Sequence, residues 1–425
     1  MEIKISELPK HLGKEVSIKG WVYRKRESKD IIFIVVRDSS GIVQCVIKDD
    51  NPDFEKAKKI TIESSLKLSG VVNEDKRAPT GYEIKIKKLE PVHIAETFPI
   101  TEYQSTELLL NLRHLWIRSL KLNRIFKIRS DVFGLIHEFF RDNGFYEIQA
   151  PSIVSSACEG GSTLFKVDYF GKKAYLTQSW QLYAEALIFS LEKIYCIAPS
   201  FRAEKSRTRR HLSEYWHAEA EMAWCDHKEN MRIQEKLISY LCQNIAKKRP
   251  EELKALGRDP NDLLKIKPPF EKITYDEAVK MLQKKGMRIK YGGDLGADEE
   301  RVLTQDLKKP IFLTSFPYEM KAFYMKRDPN NPKVVLADDL LAPEGYGEII
   351  GGSERETDNK KLVELIKKFG GNPKDYKWYL DLRRYGSVPH SGFGLGIERF
   401  IMWICKLDHI RDAIAFPRMM NRVYP

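Results

Sequence analysis

The stretch that most constrains this chain runs from residue 201 to residue 221, where two β-prone arms flank a basic loop. The second arm alternates strictly, and successive side chains of a strand point to opposite sides of a sheet. One face of this arm is apolar, whereas the other carries Tyr215, His217, Glu219 and Glu221. Two strands around a polar loop predict an antiparallel hairpin with a long tip.

The composition of this hairpin favours a binding pocket. Two carboxylates, an imidazole and a phenol on one strand face suit a wet cavity better than a hydrophobic core. Arginine and lysine dominate the loop from Phe201 to His211. A basic loop beside an acidic face suits a substrate with polyphosphate at one end and an ammonium group at the other. A solvated charge run on an ordinary antiparallel pair is the alternative.

Chain length and net charge limit the classes of protein to which this sequence can belong. A chain of 425 residues has room for two or three domains. Its apolar runs fall short of the roughly 18 residues that a spanning helix needs, and its N-terminus lacks a signal-peptide core, so we expect a cytoplasmic protein without a membrane partner. A net charge of +12 favours a polyanionic partner such as nucleic acid, although a lysine-rich solubilising surface would give the same balance. Six scattered cysteines without a CxxC pair argue against structural zinc and disulfides.

Residues 1–93 are predicted to form an OB-type barrel. Short alternating segments are separated by Gly and Asp, and one segment without alternation, NPDFEKAKKI, falls where such barrels tolerate a helix. Arg26, Phe33 and Gln44 lie on the first three strands, as in barrels that stack single-stranded bases. A core position for Phe33 is the alternative. Residues 94–115 are predicted to be a linker.

Residues 116–425 are predicted to form a larger domain. An amphipathic helix from about Leu122 to Asn143 precedes the segment FYEIQAPSIV. We expect this segment to be one strand at a sheet edge, because Pro151 cannot donate to a ladder. The helix and the edge strand together suggest a dimer seam.

A glycine-rich strand near the C-terminus provides a second functional signal. Gly392, Gly394 and Gly396 alternate, which would leave a flat floor for a planar ring. Arg399 follows at the start of a helix, where anions bind. The spacing does not match a dinucleotide-binding fingerprint.

Together these motifs resemble class II aminoacyl-tRNA synthetases of the subgroup that charges aspartate, asparagine and lysine. FRAE with the RTRRH loop resembles the second signature motif of that class, GFGLGIER resembles the third, and the helix leading to Pro151 resembles the first, which builds the dimer. The barrel resembles the anticodon-binding domain of the subgroup. The segments EGGSTLFKVDYF, QLYAEA and APEGYGEIIGGSERE are most similar to the asparagine-specific enzymes of the archaeal and eukaryotic type.

The resemblance implies an α+β fold: an N-terminal OB-fold barrel and a class II catalytic domain with an antiparallel sheet flanked by helices. It implies a homodimer that activates asparagine with ATP and Mg²⁺ and transfers it to the 3′ end of tRNA(Asn). The carboxylate of the amino acid is the nucleophile in this reaction. The chemistry therefore needs alignment and charge neutralisation rather than a reactive side chain.

The resemblance also assigns residues. Arg202, Arg399 and Glu348 would be catalytic, and the adenine would lie between Tyr215 and Arg399. The implied ATP site comprises Arg202, Glu204, Arg210, His211, Tyr215, Glu348, Gly396 and Arg399. Magnesium would be held by Asp339 and Glu348, although the APEGYG loop between them is longer than in the family pattern. The implied amino-acid site comprises Glu159, Gln181, Glu185, Glu219 and Arg355, and the implied anticodon contacts are Arg26, Phe33 and Gln44.

The side chains at the implied amino-acid site favour asparagine over aspartate. Ala184 replaces the lysine that pairs with the substrate carboxylate in aspartate enzymes. Glu185 could accept from an amide NH₂ and Arg355 could donate to its oxygen. An aspartate would place a second negative charge near Glu185, which at 4 Å and an effective dielectric constant of about 20 costs roughly 4 kcal/mol.

Two alternatives stay open at this stage. One is a non-discriminating aspartyl enzyme that charges both tRNAs. The other is a synthetase-like protein that makes free asparagine or serves only as an RNA binder. Asparagine-forming relatives lack the barrel, so residues 1–93 argue against the second alternative, as do the retained Arg202, Glu348 and Arg399.

Overall fold

The computed structural model of this chain describes residues 1–158, 163–205 and 208–425. The described residues form two compact units, Met1–Trp116 and Ile117–Pro425. In the first unit, five strands close into a barrel in the order β1-β2-β3-β5-β4, with a helix between β3 and β4 as predicted. The elements of this unit are a 3₁₀ helix (Ile5–His11), β1 (Glu15–Glu27), β2 (Ile31–Arg37), β3 (Ile42–Lys48), α1 (Phe54–Lys59), β4 (Ser65–Glu74), β5 (Tyr82–His93), α2 (Thr106–Asn111) and α3 (Arg113–Trp116).

Alternation along the strands builds the barrel. Inward positions such as Ile18, Val36 and Leu68 are buried aliphatic side chains that form one core, while outward positions are polar or half-exposed. Strand crossings are tight at two glycines, since a Cβ at Gly20 would lie 2.4 Å from the carbonyl oxygen of Arg37 and one at Gly70 would lie 2.1 Å from that of Lys85. The OB-fold prediction is confirmed.

The second unit is built on one large sheet. Its described residues form eight strands in the order β12-β13-β16-β17-β18-β11-β10-β6. The neighbours pair antiparallel except at the two edges, where β12 with β13 and β10 with β6 are parallel. The sheet strands are β6 (Tyr146–Glu147), β10 (Lys193–Phe201), β11 (Glu214–Ala223), β12 (Glu271–Thr274), β13 (Ile311–Thr314), β16 (Ala337–Ala342), β17 (Gly347–Glu354) and β18 (His390–Gly396).

Helices and two small sheets flank this large sheet. The helices pack through apolar faces; α4, for example, buries Leu122, Val132 and Phe140. Among the described residues, no helix is long and apolar enough to cross a membrane. The helices are α4 (Leu120–Asp142), α5 (Gln181–Leu191), α6 (His227–Lys248), α7 (Pro250–Ala255), α8 (Pro260–Leu264), α9 (Tyr275–Lys284), α10 (Ala297–Thr304), α11 (Asn359–Lys368), α12 (Lys377–Asp381) and α13 (Ile397–Ile404), with 3₁₀ turns at Tyr318–Met320, Pro373–Tyr376 and Ile410–Ala413. The small sheets contain β7 (Ile153–Val154), β8 (Lys166–Tyr169), β9 (Lys172–Leu176), β14 (Arg327–Asp328) and β15 (Asn331–Val335).

The segment around Pro151 corrects one prediction. We expected a single edge strand, but the chain forms two short strands on either side of the proline. Tyr146–Glu147 does lie at the edge of the large sheet, whereas Ile153–Val154 pairs with β9 in a different sheet. Proline has no backbone N–H to donate to a neighbouring strand. The extended segment is therefore interrupted at Pro151 and divides into two short strands. The preceding helix ends as predicted, with Gly144 at a φ of +77°.

Candidate active site

Two adjoining cavities open on the central strands of the large sheet. The first is lined by basic and acidic side chains with Tyr215, and the second by acids, Lys321, Arg355 and a set of aromatic and small apolar side chains. Arg202, His217 and Glu348 line both cavities. The predicted hairpin supplies much of this wall, because β10 and β11 pair antiparallel from Lys193 with Met222 to Phe201 with Glu214. A substrate that spans both cavities would therefore pass Arg202.

The alternating glycines of β18 make room for acids on the neighbouring strand. Gly392 pairs with Glu221, and Gly394 with Glu219. A Cβ at Gly392 would lie 1.9 Å from Oε2 of Glu221, and one at Gly394 would lie 3.4 Å from Cγ of Glu219. Gly392 therefore accommodates a carboxylate, while Gly394 and Gly396 line the first cavity. The glycine pattern allows acidic side chains to lie flat against the sheet.

The first cavity gathers the cations predicted for ATP. Arg202, Arg210, His211 and Arg399 all line it. Arg399 donates from Nη1 to Oε2 of Glu348 at 2.5 Å. The guanidinium carbon of Arg202 lies 5.8 Å from the ring centroid of Tyr215. Several fixed guanidinium groups in one cavity match a polyphosphate.

His217 stays uncharged among these arginines. Burial, with added repulsion from Arg202 and Arg399, lowers its pKa to about 3. Its Nδ1 lies 3.1 Å from the hydroxyl of Ser200. The pKa of His211 is also lowered, first by burial and then by Arg399. At neutral pH, the positive charge of this wall therefore comes from arginine.

Asp339 and Glu348 meet on one face of the sheet despite the longer loop between them. The register of β16 and β17 shifts between Leu340 and Leu341, so that Leu341 pairs with Glu348. At this point β17 has one residue more than β16, which forms a β-bulge. A Cβ at Gly351 would lie 3.4 Å from an oxygen of Glu348 and 3.8 Å from an oxygen of Asp339. Both carboxylates therefore face the same part of the second cavity.

The two carboxyl groups of this pair, Asp339 and Glu348, differ in pKa. Burial, opposed by Lys321 and reinforced by Glu348, raises the pKa of Asp339 to about 7. Burial also acts on Glu348, but Arg399, Lys321 and Arg210 outweigh it and lower the pKa to about 2. Nζ of Lys321 lies 2.8 Å from Asp339. Two carboxylates facing one space are hard oxygen donors of the kind that Mg²⁺ prefers, so the residues fit that ion.

The second cavity has an ion pair in its wall. Arg355 donates from Nε and Nη2 to the two oxygens of Glu221, at 2.9 and 2.8 Å. Both residues line the cavity, as does Ala184. Glu219 also faces it and accepts from the Ser179 hydroxyl and the Trp180 N–H. The wall thus offers an anionic acceptor beside a cationic donor.

Glu185 does not take the position that we predicted for it. Its side chain is fully buried behind the wall, where its oxygens accept from Arg383, Tyr379 and Gln181, with Nε2 of His390 at 3.0 Å. Adjacent residues of a helix point about 100° apart, so Ala184 faces the cavity and Glu185 faces the protein interior. The prediction of a direct contact with a substrate amide is therefore corrected.

The structure brings most of the predicted residues together. Glu159 lies outside the described residues, so its placement stays a prediction. Sequence reasoning gave no role to Glu221, although the alternation of its strand had placed it on the polar face, and it missed Lys321, for which no local pattern gave a signal. The predicted residues on the cavity walls are Gln181, Arg202, Glu204, Arg210, His211, Tyr215, Glu219, Asp339, Glu348, Arg355, Gly396 and Arg399.

The predicted anticodon residues of the barrel lie in different environments. Phe33 is outside the barrel core, half-exposed on β2, and the guanidinium of Arg26 lies 5.6 Å from its ring centroid. Gln44 is buried and donates to Glu83 at 3.3 Å. A partly exposed ring beside an arginine suits base stacking, whereas the Gln44 amide is engaged within the protein. The geometry favours Phe33 and Arg26 over Gln44 for RNA contact.

Comparisons with known proteins give the family. Residues 105–420 match the family of class II tRNA synthetases (D, K and N), and residues 16–92 match the OB-fold nucleic acid binding domain. The chain is 52% identical over 418 residues to an asparagine–tRNA ligase of Thermoplasma acidophilum, covering 98% of this chain and 97% of that protein. The chain belongs to the asparagine–tRNA ligase family of class II tRNA synthetases.

Two further comparisons agree with this assignment. An asparagine–tRNA ligase of Thermococcus gammatolerans is 53% identical over 419 residues, covering 98% of this chain and 97% of that protein. The crystal structure of an asparaginyl-tRNA synthetase from Pyrococcus horikoshii, complexed with asparaginyl-adenylate, matches with a TM-score of 0.96 at 51% identity over the whole of both chains. The predicted class II catalytic fold is thereby confirmed.

Proposed function

We propose that this protein ligates asparagine to tRNA(Asn) in two steps. A carboxylate oxygen of asparagine attacks the α-phosphorus of ATP, the bond to the β-phosphate oxygen breaks, and pyrophosphate leaves. A hydroxyl of the 3′-terminal ribose of tRNA then attacks the carbonyl carbon of the adenylate, loses its proton, and AMP leaves. The adenylate of asparagine in the P. horikoshii structure supports this sequence of steps.

The two cavities divide the substrates between them. The cavity with Arg202, Arg210 and Arg399 takes ATP, with the adenine beside Tyr215. The cavity with Glu219 and Gln181 takes the amino acid, whose ammonium group suits the carboxylate of Glu219. Arg202 is a cation that lines both cavities, so its guanidinium can hold the α-phosphate and the attacking carboxylate together. Such alignment and charge neutralisation are what in-line displacement requires.

The observation that carries the choice of amino acid is the Glu221–Arg355 ion pair in the cavity wall. Glu221 can accept from the side-chain NH₂ of asparagine, and Arg355 can donate to its oxygen. An aspartate would set a second carboxylate beside Glu221, with a repulsion of roughly 4 kcal/mol at 4 Å and an effective dielectric constant of about 20. Ala184 adds no compensating charge.

Asp339 and Glu348 would hold magnesium. When bound, the ion neutralises negative charge on the phosphates. Without such an ion, burial and mutual repulsion raise the pKa of Asp339 to about 7, so a cation in this space would favour the ionised form. Lys321 and Arg399 orient the two carboxylates from either side.

We further propose a cytoplasmic homodimer that binds tRNA through the barrel. The edge strand β6 and the strand β7 leave Tyr146 and Ile153 exposed, which suits burial against a second copy. The barrel contributes Phe33 and Arg26 to the RNA contact. Sedimentation of the purified protein measures its oligomeric state, and a monomer at micromolar concentration would contradict the proposed homodimer.

ATP–pyrophosphate exchange with each amino acid tests the function. We expect exchange with asparagine and much weaker exchange with aspartate; exchange with aspartate alone would overturn the proposal. Ala184→Lys should weaken asparagine use, because the new ammonium group would compete for Glu221. Ala184→Met is the matched control for size, and unchanged asparagine kinetics in Ala184→Lys would contradict the side-chain argument.

A further inference from the structure

Helix α10 reaches the wall of the ATP cavity through one carboxylate. Oε2 of Glu300 accepts from Nη1 of Arg210 at 2.8 Å and from the backbone N–H of Glu348 at 2.6 Å. Nη2 of Arg210 donates to the carbonyl oxygen of Glu348 at 3.2 Å. One carboxylate therefore holds two groups that line the cavity, although Glu300 is not itself part of the lining.

The loop before Glu348 is shaped to fit this helix. Gly347 has a φ of +70°, and a Cβ there would lie 2.3 Å from Oε2 of Glu300 and 2.6 Å from Nη1 of Arg210. Gly345 has a φ of +80°, and its Cβ would lie 3.1 Å from Cγ of Arg301. Left-handed backbone and close approach both require glycine here. The lengthened loop is thus packed against α10.

A second anchor fixes the same loop to the helix that carries Arg399. Arg258 is buried, pairs with Glu344 at 2.6 Å, and donates to the carbonyl oxygen of Trp403 at 2.7 Å. Glu344 lies in the loop and Trp403 lies in α13. Glu300 and Arg258 therefore each constrain the position of Glu348 relative to Arg399.

We propose that Glu300 is a positioning residue for the triphosphate of ATP, an inference that rests on the proposed function. Its carboxylate aims the Arg210 guanidinium and fixes the backbone of Glu348 before the nucleotide binds. Burial of the carboxylate raises its pKa, and the charge of Arg210 opposes that rise. Because this carboxylate is buried and paired with Arg210, its effect is on the geometry of the proposed phosphate site.

The test compares two substitutions by ATP–pyrophosphate exchange, with KM determined separately for ATP and asparagine. Glu300→Ala removes both hydrogen bonds and should raise the KM for ATP roughly tenfold or more, with the KM for asparagine changed less than about twofold. Glu300→Gln keeps an acceptor oxygen and should restore most of the loss. Asp298→Asn, on the exposed face of the same helix, is the matched control and should behave as wild type.

The outcomes separate this inference from the proposed function. Wild-type protein without asparagine-dependent exchange overturns the proposed function. Active wild-type protein with an unchanged KM for ATP in Glu300→Ala overturns the inference. An equal rise of both KM values also overturns it, since that pattern indicates a general structural defect. Thermal unfolding confirms that each variant is folded. If Glu300→Ala does not fold, Glu300→Asp gives the readout, because it keeps the carboxylate but shortens its reach to Arg210 and to the backbone of Glu348: a raised KM for ATP supports the inference, and an unchanged KM for ATP overturns it.

Discussion

At the scale of single residues, Glu221 should decide between asparagine and aspartate. Glu221→Gln removes the anionic acceptor and leaves Arg355 without its charge partner, so kcat/KM for asparagine should fall roughly 10- to 100-fold. Use of aspartate should fall less, because the freed guanidinium favours a carboxylate. Exchange with both amino acids measures the ratio. Glu214→Gln, on the same strand outside the cavity walls, is the control, and an unchanged ratio in Glu221→Gln would refute this role.

His217 should make stability depend on pH. Its folded pKa of about 3 lies below its ordinary value of 6.5, so between these values the unfolded state binds more protons, and stability is lost as the pH falls. From pH 6.5 to 4.5 the loss should be roughly 2 kcal/mol. His217→Gln should remove that part of the pH dependence, and His114→Gln, at an exposed position, should not. Urea unfolding at both pH values measures it, and parallel losses in wild type and His217→Gln would contradict the argument.

At the scale of elements, strand alternation separates RNA binding from catalysis in the barrel. Phe33 points outward from β2 beside Arg26, so Phe33→Ala should raise the KM for tRNA about tenfold through lost base stacking. Asparagine–ATP exchange should be unchanged, because the cavities lie in the other unit. Val92→Ala, at an exposed apolar position of β5, is the control. Loss of exchange in Phe33→Ala would instead show that the ring is structural.

At the scale of the whole molecule, the net charge of +12 should appear in the salt dependence of the two half-reactions. Raising KCl from about 50 to 200 mM should increase the KM for tRNA roughly tenfold or more through counterion release. Exchange of ATP and asparagine should change less, since arginines in partly enclosed cavities are screened less. Aminoacylation and exchange, measured in the same buffers, make the comparison. Equal salt dependence would mean that the surface charge does not serve tRNA binding.

Much of this protein was determined by local sequence. The alternation of β11 already placed Glu219 and Glu221 on a polar face, and the alternating segments of residues 1–93 predicted the barrel, although a core position for Phe33 stayed open. Periodicity located helix α4 and its end near Asn143. These features depend on residues close in the chain, for which the period of two or of 3.6 fixes direction.

Tertiary structure decided what those side chains meet. Glu185 and Ala184 are neighbours in sequence, yet Tyr379 of α12 and Arg383 just after that helix bind Glu185 in the interior, while Ala184 lines the cavity. Lys321 and Glu300 acquire roles only through contacts with Asp339 and Arg210, far away in the chain. No local period encodes such pairs, because they depend on which elements the sheet and its loops bring together.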